Sequence, residues 1–330
     1  MTGVPVPALV LTRGEIKALM CPADYLTAVE AGFEGLHSGR AIAPAPLALE
    51  LDRGGFHAKA ASLALDRCYV AVKLNANFPR NPQNGGLPTI QGAILLCDGE
   101  TGSLLAIMDS MEVTLKRTAA ATALAAKHFA RADSATVLIC GCGDQATAQL
   151  EALRGVLPLR RGFCWDRQRD RAEAFGRKFA AGSMTPASDL TAAALESDVI
   201  VTCTTATASF LTAEMVRPGV FIAAVGADAP HKNEIAPELM AQALVVTDVT
   251  SQCAVMGDLH HAIEGGLMST EGVHAEIGDI VAGARPGRTS PGQIILFDST
   301  GVAVQDVAAA VEIYRRALAA GARARIVLGV

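Results

Sequence analysis

Gly141, Gly143 and Ala146 stand in a G-x-G-x-x-A spacing directly after the apolar run TVLIC and directly before an Ala-rich amphipathic stretch. That order reads as strand, glycine turn and helix. It aims the unbonded N–H groups of a helix N-terminus at an anion, most often a dinucleotide pyrophosphate. Asp144 and Gln145 belong to the same turn, and Ala146 needs only to be small for the helix to pack on the strand. A second run, RGFCW, ends on Asp166. A carboxylate there can accept hydrogen bonds from ribose hydroxyls and repels a 2′-phosphate, which favours NAD(H). Arg167 and Arg169 follow directly and are able to hold a 2′-phosphate, so NADP(H) is the alternative. Further strand-like runs end near Thr204 and Thr205, near Val225, and near Ser299 and Gly301, where an α/β sheet faces a nicotinamide. A threonine at a strand end is equally common for structural reasons alone.

These residues need strands and helices to hold them. From residue 134 onward, TVLICG, RGFCWD, DVIVTCTT, VFIAAVGA, ALVVTDV and IILFDS alternate with helical patterns such as RDRAEAFGRKFAA. Six short apolar strands with crossovers predict an α/β fold, a Rossmann-like, doubly wound, mostly parallel sheet. Before it, residues 15–38 read as helix with a break at Pro22, and 44–107 as short strands. PRNPQNGGLPT reads as a loop, and LLCDGETGSLLAIMD as a hairpin turning at 98–102. A long helix, VTLKRTAAATALAAKHFAR, follows with Thr114 as its expected cap, and Ser299 or Thr300 is the expected cap of the last helix. The division expected is an α+β substrate and dimerisation domain, residues 1–127 with the C-terminal helix 304–330, and a dinucleotide domain, residues 128–303.

Composition limits the classes. Of 330 residues, 51% are hydrophobic and 18% charged, with a net charge of −5, and no cluster of Lys and Arg forms a basic face. Nucleic acid is therefore not an expected partner. No apolar run reaches the length of a membrane span, and the N-terminus lacks the pattern of a signal peptide. The eight cysteines form no C-x-x-C pair, and several lie inside strand-like runs. They read as buried reduced thiols of a cytoplasmic protein, with no metal site. Cys142, beside a helix N-terminus, is either a reactive thiol or turn packing.

Four blocks, LKRTAAATALAAKHFAR, GCGDQATAQLEAL, AVGADAPHKNEI and FDSTGVAVQDVAAA, occur in this order. Together they resemble the ornithine cyclodeaminase/μ-crystallin family over roughly residues 15–320. The resemblance implies a homodimer whose N-terminal domain and C-terminal helix build the subunit interface and a substrate pocket. It also implies a hydride moved at the α-carbon of an amino or imino acid. Three positions carry over: Lys73 in YVAVKLNANFP as the pocket lysine, Arg117 in KRTAA as the grip on the substrate carboxylate, and Asp228 in GADAPHK as the proton-handling acid. The chemistry agrees, because a guanidinium forks onto a carboxylate and a lysine beside it can lose its proton more easily.

The sequence departs from the family at one strand. IAPAPLALEL lacks the second carboxylate-binding arginine, and FHAKAASL offers His57 and Lys59 instead. Neither suits a substrate with a distal ammonium group, which Lys59 would repel. Lys59 is expected to bind the α-carboxylate or a second acid group. The expected activity is therefore an NAD(P)H-dependent reductase of an α-imino acid, either a cyclic ketimine such as Δ1-pyrroline-2-carboxylate or a small imino acid. The alternatives are ornithine cyclodeaminase chemistry and a non-catalytic ligand-binding protein of the μ-crystallin type. His260 and His261 in DLHHAI are adjacent and point apart on a helix, so one of them at most lines a pocket.

Overall fold

The computed structural model describes residues 7–179 and 182–328. Residues 1–6 and 329–330, at the ends of the expected first domain, and 180–181, the end of RDRAEAFGRKFAA, lie outside the described residues. The chain forms two compact units, one of the chain up to Arg117 plus Val302 onward, the other running Thr118–Gly301.

The first unit begins β1 (Ala8–Leu11), α1 (Arg13–Leu19), α2 (Pro22–His37), β2 (Ala41–Ile42), β3 (Leu47–Leu51), β4 (Gly54–Ala64) and β5 (Cys68–Asn77). It continues with α3 (Asn81–Gly85), β6 (Ile90–Asp98), β7 (Leu104–Asp109) and the start of α4 (Ser110–Phe129), inside which the two units divide. The second unit holds β8 (Thr136–Cys140), α5 (Asp144–Arg154), β9 (Arg161–Trp165), α6 (Arg169–Gly176), β10 (Thr185–Pro186), α7 (Leu190–Glu196), β11 (Val199–Thr202) and β12 (Thr207–Leu211). After these come β13 (Phe221–Ala224), β14 (Asn233–Ile235), α8 (Pro237–Gln242), β15 (Leu244–Thr247), α9 (Thr250–Met256), α10 (Asp258–Glu264), β16 (Ala275–Glu276), α11 (Ile277–Val281) and β17 (Ile295–Asp298). Finally α12 (Ala303–Ala319) and β18 (Arg325–Ile326) return to the first unit.

In the first unit the sheet runs β18-β1-β7-β6-β5-β4-β2, with β3 also on β4. Only β1 and β7 pair in parallel; the other pairs are antiparallel. Side chains alternate between faces, so the register assigns each face. Ala61 opposes Ala71, which opposes Leu96, which opposes Ala106, and all four are buried. This inner face receives α2 and α12, with α12 lying against β4 and β5. Gly32 lets the two helices approach: a Cβ there would sit 3.2 Å from that of Ala308. The outer face stays open, with Leu47, Leu49, Val72, Leu74 and Leu95 all exposed.

Local chemistry explains the element ends, and it corrects three expectations. Pro22 opens α2 at its first turn, where its missing N–H costs nothing. The β6–β7 turn is held by Asp98, whose Oδ1 accepts from the backbone N–H groups of Glu100 and Thr101. Thr114 does not cap α4. The helix starts at Ser110, and Asp109 Oδ1 accepts from the N–H groups of Met111 and Glu112. Nor do Ser299 and Thr300 cap α12: Val302 precedes that helix, and both hydroxyls donate to Asp248 instead. The segment read as a loop contains the single helical turn α3, with Pro82 in its first turn.

The second unit is a wholly parallel sheet in the order β10-β9-β8-β11-β13-β17-β15-β16, with β12 and β14 forming a separate parallel pair. The central strands are buried throughout and mostly apolar because both faces are covered. The chain moves outward from β8 in one direction to β9 and β10, and in the other to β11 and β13. The switch point therefore lies between β8 and β11, and the carboxyl ends of these strands are where such sheets bind ligands. Gly141 follows β8 there with φ of +94°, and a Cβ on it would meet the Cys203 carbonyl oxygen at 2.7 Å. Gly141→Ala is expected to lower unfolding free energy by about 1–3 kcal/mol, measured as a lower urea midpoint. Gly143→Ala, with no atom within 4 Å of the added Cβ, is expected to stay within about 1 kcal/mol of wild type.

Candidate functional site

Two groups of residues carry the candidate chemistry, one in each unit. In the second unit, β8 leads through Gly141 and Cys142 to Gly143, which precedes the first turn of α5. Ala146 is fully buried against the sheet, whereas Asp144 is exposed in that turn and Gln145 is half-buried. The space over Gly143 is open. Asp166 follows β9; its Oδ2 accepts from the Cys142 N–H at 2.9 Å and its Oδ1 from the Gln168 N–H at 2.9 Å. The acid therefore fixes the glycine turn as well as marking the strand end. Arg167 is exposed beside it. The eleven-residue helix, the cradle over Gly143 and the acid at the second strand end fit a dinucleotide.

Cys142 serves turn packing. It is buried, and its thiol donates to the Trp165 carbonyl. Its hydrogen bond with Cys164, with burial adding, pushes its pKa far above the ordinary thiol value. A thiol held protonated in this way is a poor nucleophile. All eight cysteines are free thiols.

The strand-end residues are held by a set of buried carboxylates that sequence reasoning missed as a group. Thr204 is not open to a ligand through its hydroxyl, which donates to Glu234 at 2.6 Å and accepts from the Ala206 N–H. Glu234 also accepts from the Thr202 hydroxyl at 2.7 Å and the Gly226 N–H at 2.9 Å. Thr205 is exposed, and Val225 is half-buried with its N–H on the Thr202 carbonyl. Asp258 Oδ1 accepts from the N–H groups of Glu234 and Ile235, and Asp298 accepts from those of Asp258 and Leu259. Asp248 takes the Ser299 and Thr300 hydroxyls and the Gly301 N–H. Gly301 has φ of +75°. Burial raises the carboxyls of Glu234 and Asp258 and brings Asp298 up to about 7, with Asp248 adding to the last. Each acid sits in a short polar word inside an apolar run, KNEI, MGDL, LFDS or TDVT, and that was the available signal.

Asp228 does not lie at a strand end. β13 stops at Ala224, and Asp228 is exposed on the following loop, paired with Lys232 at 2.5 Å. His261 Nε2 bonds to the Lys232 carbonyl and His260 Nδ1 to that of Ala254, so both histidines brace backbone. Among the described residues, no group of three His, Cys, Asp or Glu side chains could hold a metal ion.

In the first unit, β5 delivers Lys73 to the inner face of the sheet, α4 delivers Arg117, and the first turn of α12 delivers Gln305 and Asp306. All four are at least 96% buried. Lys73 Nζ lies 2.9 and 2.7 Å from the two Asp306 carboxylate oxygens, and Arg117 Nε donates to Oδ1 at 3.1 Å. Arg117 Nη1 donates to Gln305 Oε1 at 2.5 Å. Two nitrogens of the guanidinium fork expected for a ligand are thus committed to the protein. Lys59 stands directly opposite Lys73 across β4 and β5, and His57 lies two residues before it on the same face, 4.0 Å from Glu50. Burial drops Lys73 to about 7; Asp306 opposes this, and Arg117 and Lys59 reinforce it. Burial also works against the Asp306 carboxylate, but Lys73 and Arg117 prevail and hold it below the usual range. Asp306 and Gln305 were not singled out as site residues in the sequence. Their signal was an adjacent amide and acid in the first turn of an otherwise apolar helix.

Comparison with known proteins covers almost the whole chain. An alanine dehydrogenase of Archaeoglobus fulgidus is 36% identical over 322 residues, spanning 96% of this chain and 98% of that protein. An archaeal alanine dehydrogenase dimer with bound NAD superposes with a TM-score of 0.93 at 35% identity, over 98% of this chain and all of that one. The Δ1-pyrroline-2-carboxylate reductase of Thermococcus litoralis, in complex with NADH and L-proline, superposes with a TM-score of 0.90 at 29% identity, over 95% and 98% of the chains. The family pattern itself matches residues 7–321, and the chain belongs to the ornithine cyclodeaminase/mu-crystallin family.

Proposed function

We propose that this chain is an NAD(H)-dependent oxidoreductase that reduces an α-imino acid to the amino acid. The observation that carries the reading is the buried Lys73–Asp306–Arg117 cluster, a cationic site of the kind an α-carboxylate requires. The dinucleotide-shaped turn at Gly141–Gly143 and the NAD and NADH in the two neighbouring structures support the cofactor. Asp166 favours NAD(H) over its 2′-phosphorylated form through charge repulsion.

When bound, the reduced nicotinamide supplies the hydride that adds to the α-carbon of the imino group. Arg117 and Lys73 hold the substrate carboxylate, and Asp306 fixes both cations so that neither must reorganise as the substrate arrives. Lys73, brought down to about 7, is able to exchange a proton with the substrate nitrogen near neutrality. Asp228 is the second proton carrier in this proposal; Lys232 now holds its carboxylate on the loop. Lys59 and His57 make the strand unfit for a distal ammonium group, which disfavours ornithine as substrate.

The open apolar face formed by Leu47, Leu49, Val72, Leu74 and Leu95 supports a homodimer built on the first unit, as does the dimeric neighbour. No described helix is long and apolar enough to cross a membrane, and eight free thiols support a reducing, cytoplasmic location.

The test is NADH oxidation on a panel of imino acids, formed from 2-oxo acids with ammonium or supplied as cyclic ketimines. Ammonia release from ornithine without net NADH change contradicts the reading. Arg117→Ala is expected to lose at least ~100-fold in kcat/KM while NADH binding, measured by fluorescence, is retained. Loss of both together removes Arg117 from the substrate site. The kcat/KM profile is expected to fall as pH rises through about 7, because Lys73 then surrenders the charge that attracts the carboxylate. A flat profile from pH 6 to 9 refutes that role.

A further inference from the structure

The first turn of α12 holds one polar group that its neighbours do not use. Gln305 is fully buried, and its Oε1 accepts from Arg117 Nη1 at 2.5 Å. Arginine carries donors only, so the amide has one orientation open to it: oxygen toward the guanidinium, Nε2 turned away. That Nε2 is buried with no hydrogen-bond partner. A buried donor without an acceptor is costly, and an acceptor that arrives with a ligand removes the cost.

The surroundings select the kind of acceptor. Arg117 is held through Nε on Asp306 and through Nη1 on Gln305, and Nη2 takes part in neither contact. The Asp306 carboxylate is already shared between Lys73 and Arg117. Gln305 lies in the first turn of a seventeen-residue helix that Val302 leaves without a side-chain cap. The helix dipole therefore adds positive potential at the same turn. An idle amide donor beside a fixed guanidinium suits an anionic oxygen and rejects a second donor such as an ammonium group.

We infer that Gln305 is a carboxylate-recognition residue of the substrate site, its Nε2 donating to one oxygen of the α-carboxylate while Arg117 holds the other. This rests on the reductase reading and adds a residue to its substrate site. One amide then has two tasks: Oε1 orients the guanidinium and Nε2 meets the ligand. Gln305→Glu separates them. It keeps an acceptor for Arg117, which holds the new carboxyl ionised, but it has no N–H to give and sets a negative charge where the ligand oxygen must lie. Gln305→Leu removes both tasks.

The experiment is calorimetry of L-alanine and L-proline binding to the NAD⁺-loaded protein, in wild type, Gln305→Glu and Gln305→Leu. NADH oxidation on Δ1-pyrroline-2-carboxylate and on pyruvate plus ammonium runs alongside, and NADH fluorescence reports whether each variant keeps its cofactor site. Gln305→Glu is expected to weaken amino-acid binding and raise KM by at least ~10-fold, the worth of one hydrogen bond to a charged group, with NADH affinity unchanged. Wild-type affinity in Gln305→Glu beside a loss in Gln305→Leu confines the residue to orienting Arg117 and overturns the inference; so does wild-type affinity in both, the result if a trapped water is the acceptor. A second readout needs no active variant. The Gln305 side-chain ¹⁵N–H₂ signal, identified by its absence in Gln305→Leu, is expected to shift when L-proline saturates the wild-type protein, and an unmoved signal overturns the inference. Gln305-dependent amino-acid binding with no NADH oxidation on either imino acid upholds it and removes the reductase reading. NADH oxidation that Gln305→Glu leaves undisturbed does the reverse, and a wild type that neither binds nor turns over removes both.

Discussion

The carboxylate of Asp306, enclosed between Lys73 and Arg117, is the interaction on which the first unit depends. Two cations with at most 4% exposure cannot be buried without an acid, because each uncompensated charge costs several kcal/mol. Asp306 offsets part of that cost, but two cations against one acid leave the site under-neutralised. Burial, with Arg117 and Lys59 adding to it, outweighs Asp306 and leaves Lys73 holding its proton more weakly than an ordinary lysine. The arrangement of this buried cluster is set by one carboxylate on the first turn of α12, 233 residues after Lys73.

The second unit is organised by carboxylates as well, used differently. Asp298 clasps the start of α10, Asp258 clasps β14 in turn, and Glu234 in the middle of that strand ties the ends of β11 and β13 together. Each acid accepts backbone N–H groups that would otherwise be orphaned at strand and helix ends. Burial lifts their pKa values, so the row tolerates protonation and need not carry a full charge at every position. The cost of burying acids is accepted because loops at the switch point of a parallel sheet have no ladder of their own to hold them.

Much of the fold was legible because it depends on local pattern. The apolar runs at 136–140, 199–202, 221–224, 244–247 and 295–298 are parallel strands because nothing else buries such runs so compactly, and the break at Pro22 follows from the ring's missing N–H. Caps were less legible. Thr114 has the right side chain, but the helix starts earlier and Asp109, immediately before it, takes the first N–H groups; Ser299 has the right side chain too, but its hydroxyl is taken by Asp248. The candidate residues Lys73 and Arg117 could be marked by resemblance, whereas Asp306 could not be paired with them by spacing, since the contact spans most of the chain. Thr204 failed as an open hydroxyl for the same reason: its partner Glu234 lies thirty residues on and is brought back by β14.

The central claim is that burial and the Asp306 contact together set the protonation of Lys73. The most direct measurement is the Lys73 pKa by NMR of lysine-labelled protein, in wild type and in Asp306→Asn. Titration near 7 in wild type, falling further when the acid is removed, is the predicted result. An ordinary lysine titration near 10.5 in both proteins would contradict the account.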